Sequence, residues 1–563
     1  MSQHFSRTAQ ATPSPPQNRG QAKSATPDDA WWRGGVVYQI YPRSFMDSNG
    51  DGIGDLQGIL ARLDYVAALG VDAVWLSPFF RSPMADFGYD ISDFTDVDPI
   101  FGTLDDFDRI LEKAHELGLK VVIDQVYSHS SIAHPWFQES RTSRTNRRAD
   151  WYVWADPRPD GSPPNNWQSL FGGPAWTWDA RRKQYYLHNF LSRQPDLNVR
   201  NPDVQEALLA TARFWLDRGV DGFRLDATNF YMHDPALTDN PPHPAPQGAT
   251  RSCDFQLHVH NRSQDDNFAF IQRLRDLLDS YGARFSVAEI GDNSPVEEVA
   301  SFTDGPDKLH TAYSFVFLES DRISPAIVRK AVEDWEAATR IGWPSWTFGN
   351  HDAPRPLTRW SNADDPHFAA MLIALVLSLK GTPFLYQGEE LGLPQAHVPY
   401  ERLTDPEAIA NWPETLGRDG CRTPFPWSGE APHGGFSSAT PWLPMDPAHL
   451  PLAADRQEAD PASTLNFTRC FLRYRAGQKA LRHGDIIFAD TPMNAAPDAV
   501  VAFERRAEGE SLLCLFNMDS APCTVPLPDG TWTLETQTGL QGRIEAGGHA
   551  TLPAYGGLIA RKS

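Results

Sequence analysis

No stretch of the chain is an uninterrupted apolar run of about 18 residues, the length a membrane-spanning helix needs; even Ala369–Leu379 is too short. Cysteine is scarce. Five residues in 563 (Cys253, Cys421, Cys470, Cys514, Cys523) are odd in number, scattered and without metal-ligand spacing. They suit free buried thiols in a reducing cytoplasm rather than a disulfide framework. Positive charge is also in deficit, with 50 Lys+Arg against 72 Asp+Glu and a formal net charge of −22. That balance argues against nucleic acid or an anionic membrane as partner and is compatible with a small neutral ligand. Residues 1–30 hold Pro, Ser and Gln without an apolar core, so they make neither a signal peptide nor an anchor and are expected to form a disordered tail. A soluble, cytoplasmic protein is expected.

Aromatics, by contrast, are plentiful at 11%, including 18 Trp. They suit stacking on sugar faces as well as the packing of a large core. From Val36 onward, strand-like apolar runs alternate with amphipathic helices. The strand candidates are Val36–Tyr41, Ala73–Leu76, Lys120–Asp124, Gly222–Asp226, Phe285–Glu289, Tyr313–Phe317, Ser345–Phe348 and Pro383–Tyr386. Leu104–Leu117 and Val204–Leu216 read as helices between them, the first stopped by Gly118. Eight such units predict an α/β fold, a (β/α)8 barrel. The alternation breaks after the third strand, where 128–194 is expected to form an inserted, loop-rich domain. It breaks again after the eighth, over about 388–440. The barrel is thus expected to span 31–127 and 195–484, and the short alternating segments beyond it an all-β domain over 485–563.

Three strand ends deliver carboxylates: Gly222–Asp226, Val287–Glu289 and Phe348–Asp352. The C-terminal ends of barrel strands face the mouth where chemistry is done. Arg224 lies two residues before Asp226, on the same face of a strand, and would keep that carboxylate ionised. Glu289 ends an apolar run with no cation adjacent in sequence, a setting that raises a carboxyl pKa. An ionised nucleophile beside a protonated acid is what retaining cleavage of a glycosidic bond requires.

Five segments in order, Asp124–His129, Gln194–Asn198, Gly222–Asp226, Val287–Glu289 and Phe348–Asp352, resemble the conserved regions of glycoside hydrolase family 13, the α-amylase superfamily. The resemblance covers residues 31–563. It implies Asp226 as nucleophile, Glu289 as acid/base, and Asp352 as stabiliser of the distorted sugar. It further implies His129 and His351 as ligands of sugar hydroxyls and Arg224 as holder of the nucleophile. Gly88-Tyr89-Asp90 and Arg422-Thr-Pro-Phe-Pro-Trp427 resemble motifs of exo-acting α-glucosidases. There Asp90 and Arg422 would pair over the terminal 4-hydroxyl, with Tyr89 stacking beneath the ring. The second motif departs from the commoner form at Phe425-Pro426. Phe171, Phe190 and Phe230 are candidate pocket walls.

Ala227-Thr228 follows the nucleophile where Val accompanies α-1,6 specificity in the family, which favours α-1,4 substrates such as maltose and short oligosaccharides. Alcohol acceptors are expected too, because a covalent glucosyl-enzyme yields to water or to another hydroxyl. The alternatives are a dedicated α-glucosyltransferase, a sucrose- or trehalose-active relative, and a non-catalytic transporter-subunit homologue. The last conflicts with the three retained acids. Asp47, Asn49, Asp51 and Asp55, with the Ile53 carbonyl, space oxygen ligands as a calcium-type loop does; related loops in the family hold Ca²⁺ or Mg²⁺ in a structural role. Ser128 replaces the Asn of the interdomain calcium site of α-amylases. No organic cofactor is expected, and oligomeric state is not legible.

Overall fold

A computed structural model describes residues 30–246, 251–291, 295–360, 365–413, 415, 417–488 and 499–563. Except for Ala30, the expected tail lies outside the described residues. Eight parallel strands close a barrel in chain order: β1 (Val37–Ile40), β2 (Ala73–Leu76), β3 (Lys120–Val126), β4 (Gly222–Asp226), β5 (Phe285–Ile290), β6 (Thr311–Ser314), β7 (Ser345–Thr347) and β8 (Thr382–Tyr386), with β8 pairing back onto β1. Strands β1, β2, β4, β5 and β8 are buried along their whole length. Both faces of such strands are covered, which is why they read as continuous apolar runs rather than alternating ones.

The helices start and stop where local chemistry directs. Thr103 and Asp106 form a reciprocal capping box at the head of Leu104–Glu116. Asn201 caps Pro202–Arg218, which ends at Gly219 with φ 104°. Strand β6 begins two residues earlier than expected and ends at Ser314. Thr311 is drawn inward by bonds from its hydroxyl to the Trp343 carbonyl (2.7 Å) and the Ser345 hydroxyl (2.5 Å).

Between β3 and β4, a small sheet of Trp154–Ala155, Gln184–Leu187 and Trp176–Asp179 packs around Trp167 and Trp176. A third irregular stretch, not foreseen, runs from Ala227 to the helix Asn267–Ser280; among its described residues it holds single 3-10 turns at Thr228–Phe230 and Ser252–Phe255. Beyond the barrel lie a five-stranded antiparallel sheet (Asp485–Ile487, Val500–Ala507, Glu510–Asn517, Gly557–Lys562, Trp532–Leu534) and a three-stranded one. Buried Arg505 fastens the larger sheet to the barrel helices through the Ser378 and Gly484 carbonyls. Among the described residues no helix is long and apolar enough to cross a membrane.

Candidate active site

Strand ends β4 and β5 and the loop after β7 bring Asp226, Glu289 and Asp352 to one cavity of about 760 Å³. Tyr89, His129, Phe171, Phe190 and Phe230 line it as expected. Arg224, wholly buried, joins the acids: Nη1 lies 2.7 Å from Asp226 and 2.5 Å from Asp124, and Nη2 lies 2.6 Å from Glu289. Its guanidinium sits 5.2 Å over the Trp75 ring.

This geometry corrects the electrostatic reading of the sequence. Adjacency assigned Arg224 to Asp226 alone, but the parallel pairing of Arg224 with Val287 turns its second nitrogen toward Glu289. Burial pushes Asp226 up to about 7 against the pull of Arg224, and burial pushes Glu289 up to about 7 against the same pull. Two acids with raised affinity share one site and one cation, so near neutral pH they hold about one proton between them. Asp352 behaves oppositely. Burial would raise it, but His351 and the guanidiniums of Arg422, Arg418 and Arg224 hold it well below the usual carboxylate range. Burial also lowers His351 to about 3, so at neutral pH the ring is uncharged and the arginines do the holding.

His351 does not line the cavity. Its Nε2 lies 2.6 Å from the Tyr89 hydroxyl and 3.0 Å from Asp352, and its Nδ1 lies 2.8 Å from Gln39. The ring stacks parallel on Tyr89 at 5.3 Å, fixing the tyrosine that faces the cavity. His129, neutral because burial lowers it to about 4, contacts Gln194 and the Tyr89 carbonyl through Nε2 and Ser128 through Nδ1.

The structure does not bring Asp90 and Arg422 together over the cavity. Asp90 is fully buried and its carboxylate accepts bonds from the Ser82 hydroxyl and the Ala85 and Asp86 amides, so it folds the loop on itself. Arg422 donates to the His351 carbonyl and to Asp352, each at 2.6 Å, and so supports the third acid from behind. The residues in the expected positions are Asp86 and Arg418. Both line the cavity, 2.9 Å apart, and Arg418 also bonds Asp405 (2.8 Å), lies 3.5 Å from Asp352 and covers the Phe171 ring at 4.9 Å. Asp86 and Arg418 were not among the expected residues; each lies four positions before the residue expected, and the sequence carries no signal for which carboxylate and which guanidinium turn inward.

In the Asp47–Asp55 loop, each acidic or amide side chain accepts backbone N–H bonds. Asp47 takes those of Asn49, Gly50 and Gly52, Asn49 that of Asp51, and Asp51 that of Ile53. Asp55 caps the following helix through Gly58 N–H and bonds Ser48. Among the described residues no three His, Cys, Asp or Glu converge as a ready-made metal cage. The donors are nonetheless all hard oxygens with lone pairs remaining, the chemistry Ca²⁺ or Mg²⁺ takes.

The closed barrel and the acid-lined cavity at its mouth define the class: a (β/α)8 enzyme acting on glycosidic bonds. The profile of the alpha amylase catalytic domain matches residues 39–484. The chain is 51% identical to a probable alpha-glucosidase of Rhizobium meliloti (strain 1021), over 95% of this chain and 98% of that one. It is 36% identical to an oligo-1,6-glucosidase of Heyndrickxia coagulans, over 93% and 97%. The crystal structure of the alpha-glucosyl transfer enzyme XgtA superposes with a TM-score of 0.92 at 53% identity, covering 95% of this chain and all of that one. The chain belongs to the α-amylase family, glycoside hydrolase family 13, and is a glycoside hydrolase or transglucosylase.

Proposed function

We propose that the protein is a retaining, exo-acting α-glucosidase that takes one α-1,4-linked glucose from the end of maltose-like substrates and hands it to water or to an acceptor hydroxyl. The observation that carries this reading is Arg224 gripping Asp226 and Glu289 at once. A common guanidinium keeps the two acids close, which favours direct attack by one of them over the roughly 6.5–9.5 Å spacing of inverting enzymes. Their shared proton supplies one acid and one nucleophile near neutral pH. Asp226, free on its second oxygen, attacks the anomeric carbon while Glu289 protonates the departing oxygen. Asp352, kept anionic, holds hydroxyls of the distorted ring. The Asp86–Arg418 bridge closes one end of the cavity and limits cleavage to the terminal sugar.

Ala227 lines the cavity directly after Asp226 and adopts φ 42°. A β-branched residue is strained in that conformation, which supports the small side chain and the α-1,4 preference. Transfer as the dominant outcome is the second reading, favoured by the likeness to XgtA. The Asp47–Asp55 loop is proposed to bind a structural Ca²⁺ or Mg²⁺ through Asp47, Asn49, Asp51, Asp55 and the Ile53 carbonyl. The test of the main reading is maltose followed by ¹H NMR, with α-glucose expected first and Asp226→Asn inactive. First release of β-glucose, or wild-type activity in the variant, would sink it.

A further inference from the structure

The two walls of the cavity come from separate segments. Phe171 and Phe190 belong to the insertion after β3, whereas His258 and Arg262 belong to the irregular stretch after β4. Side-chain amides join the two. Asn166 donates its Nδ2 to the Asn240 carbonyl and accepts the Asn240 N–H on Oδ1, both at 2.8 Å, copying with a side chain the paired bonds of a β-bridge. Around it, Trp167 donates to the Thr238 carbonyl (2.8 Å), Asn165 to that of Leu237 (3.1 Å), and the Asn166 N–H to Asp239 (3.0 Å).

Deeper in the protein, Asn261 is the hub. Its Nδ2 donates to Asn189 Oδ1 at 2.9 Å, and its Oδ1 accepts from Asn240 Nδ2 at 3.0 Å and lies 3.1 Å from His258 Nδ1. Asn189 is gripped in turn by the carboxylate of Asp196, through its N–H and its Nδ2. All of these side chains are buried, and a buried polar network that is fully satisfied is rigid. The placement is telling. Asn189 immediately precedes Phe190, and Asn261 immediately precedes Arg262, whose guanidinium covers Phe230 at 5.4 Å. One amide–amide bond therefore ties together the residues next to two facing parts of the wall.

We infer that Asn261 is a positioning residue that fixes the spacing between the Phe190 and Arg262 walls of the cavity and thereby favours transfer to a second sugar over hydrolysis. This rests on the proposed glucosyl-transfer chemistry. In that step the acceptor oxygen bonds the anomeric carbon as the bond from that carbon to the Asp226 oxygen breaks. The bonding pair returns to Asp226, and the acceptor proton passes to Glu289. A sugar hydroxyl must be oriented for this, and misplacement by about 1 Å can cost about a hundredfold. Water, small and abundant, needs no such wall.

The experiment measures glucose and trisaccharide formed from maltose by wild type, Asn261→Ala and Asn261→Asp, together with melting temperatures. Asn261→Asp keeps the acceptor toward Asn240 and His258 but sets an oxygen against Asn189 Oδ1, so it breaks the same bond without leaving a cavity if the alanine variant does not fold. The expected result is a transfer-to-hydrolysis ratio lowered about tenfold, with total maltose cleavage changed less than about threefold. An unchanged ratio in a folded variant overturns the inference, as does an equal loss of both products, which would mark Asn261 as purely structural. If wild type cleaves no α-glucoside, the proposed function falls and this inference with it.

Discussion

Replacing Asp86 by alanine probes the closed end of the cavity and costs one buried partner, the Gln194 amide that donates to Asp86 at 3.0 Å. Arg418 would keep its bonds to Asp405 and its proximity to Asp352, so no buried cation is orphaned. The reverse change, Arg418→Ala, would strand Asp86 and Asp405, both almost fully buried, at a cost of about 3–5 kcal/mol in stability. On the proposed reading, Asp86→Ala removes one charged acceptor from the terminal sugar. A hydrogen bond to a charged group is worth about 1.5–3 kcal/mol, which corresponds to a fall of about 10- to 150-fold in kcat/KM. The assay compares maltose with maltose lacking the terminal 4-hydroxyl, on wild type and variant. In wild type the deoxy substrate should lose a similar factor; in the variant it should lose almost nothing more, because the partner is already gone. A variant within twofold of wild type, or an equal deoxy penalty in both proteins, would show that the Asp86–Arg418 bridge does not bind the substrate.

Two further outcomes follow from the same geometry. Asp226 and Glu289, raised to about 7 when folded, hold more protons in the native than in the unfolded state between about pH 4 and 7, so they lower stability as pH rises through that window. Glu289→Gln should flatten this slope, gaining about 1–3 kcal/mol relative to wild type at pH 8 over pH 5; parallel urea melts showing the same slope would refute the burial argument. Asp352, depressed when folded, contributes in the opposite sense, its stabilisation present above the unfolded pKa and lost as pH falls toward the folded one. For the metal loop, chelation with EDTA should lower the melting temperature, Ca²⁺ or Mg²⁺ should restore it, and Asp51→Ala should abolish the response. An EDTA-insensitive wild type would count against a bound cation.

The barrel was legible because its strands are buried on both faces and so appear as unbroken apolar runs between capped helices. Ala73–Leu76 and Gly222–Asp226 match residue for residue. Asp226 and Glu289 were legible because they sit at the ends of β4 and β5, where side chains face the mouth of the barrel, whereas Asp352 reaches the same cavity from the loop after β7. Two things were hidden. The described residues between Ala227 and Asp266 contribute a cavity wall held by side-chain amides such as Asn240 and Asn261, and Asn, Asp and His in a loop leave no periodic trace. The choice of Asp86 and Arg418 over Asp90 and Arg422 depended on which carboxylate the loop consumes in folding. Asp90 is taken by two backbone amides and a hydroxyl, a fact of turn geometry rather than of composition.

The same difficulty explains the acid pair. Sequence neighbours suggested that one acid has a cation and the other does not, whereas in the barrel the difference lies in how many cations each acid shares. Asp226 and Glu289 divide a single guanidinium, and Asp124 draws on it as well. Asp352 has Arg422 at 2.6 Å and Arg418 at 3.5 Å. One arginine cannot keep three buried carboxylates ionised against the cost of burial, so a proton remains in that cluster. Two arginines on one partly exposed carboxylate suffice to keep it anionic. Protonation thus follows the supply of positive charge around each acid, and the proposed retaining mechanism uses this division: a proton available to Glu289, an attacking oxygen on Asp226, and a fixed anion at Asp352.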